Sequence, residues 1–263
     1  MRFPLTELFP DRDYRFHLTL RKGELGAFFH APDSAVLAER ARWFADDPAR
    51  YIAGGSEALP LVAEAEAMFG LGAVSGGVTE RLARLGGAVE PDVVLLAPDG
   101  AGHFRLRAGA ACFPSWWALT EKTGLTLDEI HGVVPGLNES LAPAIGQFLA
   151  KLKPGVPFER VNWGFAATPE LNLHPALSRP RLGPALDAAR TWLRVEEQIL
   201  AAMPATGGLL FGIRIRVVPL AELLGDPALR TGLRRALVTM PDALAAYKGL
   251  EPVRAALIRR CEG

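Results

Sequence analysis

Two periodicities divide this chain, one near 3.6 residues and one of two. Phe16, Leu18 and Leu20 alternate and predict a strand after a short polar lead-in. Residues 33–50 keep helical spacing, with Val36, Leu37, Arg40 and Phe44 on one stripe, Asp33 or Ser34 as cap and Pro48 helping to end it. Residues 56–69 predict a second helix, with Pro60 in its first turn, where proline is tolerated. A glycine-rich break at 70–77 precedes a short helix over 78–85. The pattern then turns β: the run Val93 to Leu96, the turn Pro98-Asp99-Gly100 and the alternation His103 to Arg107 predict a hairpin. Short helices are expected over 115–124 and after Thr126, a longer one over 138–152 and a strand over Phe158 to Ala166. The most amphipathic helix is predicted over 184–203, with Leu186, Ala189, Leu193, Glu196 and Leu200 on one stripe. Residues 208–218 alternate as a strand, and 220–247 return to helix. The sum is an α+β fold, an antiparallel sheet with helices on one side.

Composition narrows the function classes. The 263 residues carry 29 basic and 29 acidic side chains, which argues against a broad nucleic-acid footprint. The 27 glycines and 21 prolines fit many short elements better than a long helical bundle. Cys112 and Cys261 are the only cysteines, so a disulfide framework and a Cys-rich zinc or iron–sulfur centre are excluded. The glycine-rich stretch holds no phosphate-cradling motif. Acidic residues interrupt the first fifteen positions where a signal peptide would be apolar, and no apolar run approaches the ~20 residues of a membrane span. A cytoplasmic location and no membrane or nucleic-acid partner are expected.

The candidate chemistry is sparse. The five histidines share no chelating spacing. A haem, however, needs a single imidazole. His131 sits among small and apolar neighbours that could partly enclose it beside a flat ligand, or simply bury a structural histidine. Cys112, before Phe113-Pro114, is either a small buried group or a thiolate ligand. Phe113, Trp116, Trp117 and Trp163 are either core or the wall of an aromatic cofactor's pocket. Arg160, Asn162, Arg194, Glu196 and Gln198 are polar groups inside apolar segments. They could form structural ion pairs, or recognise a propionate (Arg) and a cationic amine (Glu).

Taken together, Cys112-Phe113-Pro114-Ser115 with Trp117, Glu121-Lys122-x-Gly124, Ile130-His131-x-Val133-Val134-Pro135, Arg160-x-Asn162-Trp163, Leu193-Arg194-Val195-Glu196-x-Gln198-x-Leu200, Phe211-x-Ile213-Arg214 and Tyr247-Lys248-Gly249 resemble the haem-dependent oxidative N-demethylase α-subunit family. The resemblance covers residues 14–250. It implies a PAS-like fold holding haem b and oxidative N-demethylation of a small methylated amine with O₂. Electrons would come from NADPH through a partner reductase with FMN and an iron–sulfur centre. It implies a single haem-binding domain over 1–263: a helical extension 1–88, a PAS-like core 89–219 and C-terminal helices 220–263. His131 becomes the expected iron ligand, with Cys112 as the other choice. Arg194, Trp163 and Phe113 are then expected around the cofactor, and Glu196, Arg160 and Asn162 around the substrate. Two positions depart from the family pattern: Glu197 stands where Arg is frequent and Arg216 where Tyr is common. The other functions considered are a non-catalytic haem sensor or carrier of PAS type and a haem-free interaction module. Oligomerisation is possible in each case.

Overall fold

The computed structural model describes residues 3–29 and 32–262; His30 lies outside them. The described residues form an α+β fold on a seven-stranded sheet whose pairings are all antiparallel. In chain order the strands are β1 (Arg21–Lys22), β2 (Ile52–Gly54), β3 (Asp92–Pro98), β4 (Phe104–Ala110), β5 (Phe158–Ala166), β6 (Trp192–Ala202) and β7 (Leu209–Pro219). Across the sheet they run β1-β5-β6-β7-β3-β4-β2. No helix among the described residues is long and apolar enough to cross a membrane.

Much of the local pattern behaves as the sequence predicts. Asp33 caps the helix Ser34–Asp46 by accepting from the Ala35 amide. The β3–β4 turn is held by Asp99, which accepts from the amides of Ala101 and His103. Arg105 draws the Asp99 carboxyl down to about 2. Thr126 and Glu129 form a reciprocal capping box at the start of the helix Leu127–His131. The predicted helical stretch 220–247 is three helices, cut where Asp226-Pro227 and Pro241 cap and break the chain.

Three expectations are corrected. Residues 184–203 contain no α-helix; Trp192–Ala202 is the strand β6, paired along its length with β5 and β7. Leu193, Val195 and Ile199 point to one face and are fully buried, while Arg194, Glu196 and Gln198 alternate onto the other. The helical stripe through Leu193 and Glu196 is a coincidence of spacing, since a strand puts these two on opposite faces. Both faces of β6 are covered, so no solvent-facing polar row marks it as a strand. Phe16, Leu18 and Leu20 lie in irregular chain, and only Arg21 and Lys22 pair, with Glu159 and Phe158. Over 115–124 only Leu119–Lys122 is helical; Ser115 bridges Leu173, and Trp116 takes φ +66°.

One face of the sheet carries the core. Helices Leu59–Met68 and Val78–Ala88 cover it at the β3 and β4 side, around Val93, Leu95 and Leu210. The C-terminal helices cover it at the β5 and β6 side, around Phe165, Leu193 and Val195. A buried polar joint ties the N-terminal helices to the sheet. The guanidinium of Arg40, fully buried on the apolar stripe of its helix, donates to the carbonyls of Gly86, Val89 and Glu90 and, at 2.9 Å, to the Asp92 carboxylate. Asp92 also accepts from the amides of Cys112 (2.8 Å) and Phe113 (2.9 Å). Removing one partner of such a pair strands the other charge out of water, which costs about 3–5 kcal/mol. Asp92→Ala is therefore expected to lower the unfolding free energy by about that amount, read as a shift of the denaturant midpoint. A change under about 1 kcal/mol, within reach of an ordinary surface substitution, would overturn the assignment.

Candidate functional site

The other face of the sheet is not closed by core. Between it and the helices Leu119–Lys122, Leu127–His131 and Leu137–Lys151 lies a cavity of about 770 Å³, a size that encloses a cofactor. Its apolar walls come from the inward rows of the strands, such as Leu96, Leu209 and Phe211, and from Ile130, Phe148 and Leu149 of the helices. The two helices 127–131 and 137–151 hold no fully buried residue. Their apolar faces look into the cavity, so a bound ligand would complete their burial.

A polar wall closes one end, built by the register of β5 on β6. Asn162 lies opposite Glu196, and Arg160 opposite Gln198. The Asn162 amide donates to Glu196 Oε2 at 3.2 Å, and the Gln198 amide donates to the same oxygen at 3.0 Å. Lys248 enters from the chain after the helix Asp242–Tyr247. Its ammonium donates to the Trp163 carbonyl at 2.7 Å, reaches Asn162 Oδ1 at 3.4 Å and sits 4.9 Å from the Trp163 ring centre. Burial pulls the Lys248 pKa down to about 8; Glu196 acts against that shift and Arg160 with it.

His131 closes its helix on the cavity wall. Its Nδ1 is buried without a hydrogen-bond partner. Burial, and then the charge of Arg160, hold its pKa below the usual value, with Asp128 opposing. The ring is thus kept neutral, the form that ligates a metal.

The structure brings together six of the seven expected residues on this cavity: His131, Arg160, Asn162, Trp163, Arg194 and Glu196. Trp163 contributes mainly through its backbone and the strand edge, since its ring packs edge-on against Phe9 and Phe165 in the core. Phe113 is outside the cavity, beneath the Arg40 guanidinium at 4.9 Å, and cannot form its wall. Arg194 lines the cavity but its guanidinium is already engaged. It donates to Ser115 Oγ and to the carbonyls of Phe113, Pro114, Glu170 and Leu171 at 2.6–3.4 Å. Burial lowers its pKa to about 10. Its role is to hold the 113–115 and 170–171 segments on the sheet. Cys112 is buried off the cavity beside Tyr51 and Ile213, and burial pushes its thiol well up, leaving no thiolate ligand. Lys248 has no sequence signal beyond the Tyr247-Lys248-Gly249 motif, and Arg181, stacked 3.2 Å from the Trp116 ring centre at the cavity, has none.

An α+β protein with a mostly apolar cavity, an imidazole with an unpartnered nitrogen on its wall and a charged end wall has the features of a site for a flat amphipathic cofactor. The comparison with protein families agrees: the model described as haem-dependent oxidative N-demethylase, alpha subunit-like, matches residues 65–258, and the chain belongs to that family. The residues present fit a haem. The cavity has the size, His131 offers an unpartnered nitrogen, and no group of three or more metal-ligating side chains competes among the described residues.

The Lys248 ammonium gives a pH-dependent prediction. Its folded pKa lies below that of the unfolded chain, so the unfolded state binds more protons between about pH 8 and 10.5, and stability rises with pH across that window. Lys248→Met is expected to be more stable than wild type at pH 7 by about 3 kcal/mol. The gap should close as pH climbs from 8 towards 10. Urea titrations of both proteins at pH 7, 8.5 and 10 measure it, and a gap independent of pH would contradict the assignment.

Proposed function

We propose that this protein is the haem-carrying subunit of a monooxygenase that removes an N-methyl group from a small methylated amine. O₂ is the oxidant, and a partner reductase carrying FMN and an iron–sulfur centre delivers electrons from NADPH. The observation that carries this reading is His131, a neutral imidazole with an unpartnered nitrogen on the wall of a cofactor-sized cavity. The strand order β5-β6-β7-β3-β4, with the cavity helices between β4 and β5, supports a PAS-like haem pocket in a single domain.

Haem b, when bound, supplies the activation of O₂ that the protein's own side chains cannot. Overall, one methylated amine, one O₂, two electrons and two protons give the demethylated amine, formaldehyde and water. The chain's residues do the rest. His131 holds the iron. The apolar rows of the sheet and the helix 137–151 exclude water from the reacting volume. Glu196, fixed by Asn162 and Gln198, presents a carboxylate to a cationic amine. Arg160 and Lys248 balance its charge and set the polarity of that end of the cavity. Phe113 and Arg194 have no direct part, for the reasons given above.

Haem reconstitution followed by absorption spectroscopy is the first test. Wild type is expected to show a Soret band that shifts or vanishes in His131→Ala and is unchanged in Cys112→Ser. The activity test follows NADPH consumption and formaldehyde release with small methylamines and a matched reductase. Absence of a Soret band in wild type overturns the reading. A normal band with no turnover of any methylamine would leave a haem carrier or sensor.

A further inference from the structure

We propose that Arg160, with Lys248, forms a binding site for a short-chain carboxylate in a side chamber next to the cavity. The chamber has a volume of about 160 Å³ and shares His131, Arg160, Asn162 and Lys248 with the larger cavity. Its outer wall comes from the irregular segment around Tyr14 to Thr19 and from Leu137 and Leu141 of the helix 137–151.

The argument starts from Arg160. Its Nε is buried without a partner, and no described residue pairs with its guanidinium. Glu196 acts on it through space, but its hydrogen bonds come from Asn162 and Gln198. A buried Nε–H with no acceptor is costly, so a native arrangement that keeps one points to an acceptor supplied from outside the chain. The second observation is independent: the Lys248 ammonium lines the same chamber, 3.4 Å from Asn162 Oδ1, and can donate to an anion there. The field has the matching sign. Arg160, Lys248 and Arg15 line the chamber against the exposed carboxylate of Glu7. The neighbouring His17 has its pKa lowered by burial and then by Arg12, Arg160 and Arg15. The planar fork of arginine matches a carboxylate bidentately. Phe16, Leu141 and Ile145 give a short hydrocarbon tail somewhere apolar to lie. That carboxylate has two possible sources, a free short-chain acid or a propionate arm of the porphyrin.

The site is tested first in the haem-free protein, which separates it from the haem reading. Titration calorimetry with sodium acetate and propionate, at constant ionic strength with chloride as the control anion, should show binding to wild type. Arg160→Gln should weaken it at least tenfold. Leu141→Trp, which fills the chamber and leaves Arg160 in place, should abolish it, and this arm carries the test if Arg160→Gln does not fold. Loading wild type with haem or with haem dimethyl ester identifies the source. Acetate binding that persists with haem marks a free acid. Binding lost with haem and regained with the ester marks a propionate. No carboxylate binding by the haem-free protein, or equal binding by Arg160→Gln, overturns the proposal.

Discussion

The Asp92 carboxylate is the constraint on which the rest of this structure depends. It sits at the first residue of β3, fully buried, and accepts from Arg40 and from two consecutive amides after β4. A helix near the N-terminus, the central strand pair and the chain leading to the cavity therefore meet at one carboxylate. From Phe113 the joint continues, because the Phe113 carbonyl accepts from Arg194 on β6. Arg194 in turn holds the carbonyls of Glu170 and Leu171. Two buried arginines thus anchor three stretches of backbone by their carbonyls, and Asp92 holds one of the three by its amides as well. Loops cannot satisfy their own buried polar groups, and here long side chains from regular elements do it for them.

This rigid side of the molecule contrasts with the cavity side. The face of the sheet that meets the N- and C-terminal helices is filled by apolar side chains, whereas the opposite face meets two helices without a fully buried residue. The strands position Glu196, Gln198, Asn162 and Arg160 by register alone, so the end wall is fixed to the same frame as Asp92. His131 is carried instead by the loosely packed helix of five residues capped by Thr126 and Glu129. Packing therefore fixes the charged wall in advance and leaves the imidazole side to be completed by what binds. Such a division suits a protein that must admit a large planar group and then exclude water from it.

The legibility of the sequence follows the same division. Elements with one face in solvent, such as the helix 34–46, display their period, and Arg40 falls on the apolar stripe where it is in fact buried, whereas the β3–β4 hairpin is marked by its apolar run and its turn residues. β6 hides its period because both its faces are covered, and a 3.6-residue stripe happens to fit it as well as alternation does. The consequence reaches the site. With β6 read as a helix, Glu196 falls on the face opposite Arg194 and Gln198, and the carboxylate with its two amide donors is invisible. The motifs drew attention to His131, which lines the cavity, but gave no hint that Arg194 and Phe113 serve the buried joint. Lys248 could not be placed from local pattern, because only tertiary packing carries its ammonium to the β5 edge.

Glu197 and Arg216, where the sequence reading expected departures from the family pattern, are placed by the same alternation. Glu197 lies between Glu196 and Gln198 in sequence, so a strand turns it to the opposite face of the sheet, away from the cavity. There it is fully buried, and Arg216 on β7 approaches its carboxylate at 3.8 Å. Arg216 also lies 3.7 Å from Glu90, which Arg214 approaches at 3.4 Å. Arg214, directly opposite Glu197 in the β6–β7 register, and Arg216 both bring a cation to this buried acid. All three lie outside the cavity wall. Differences in what the cavity accepts must be sought among the residues that face it, with Arg160 and Lys248 foremost.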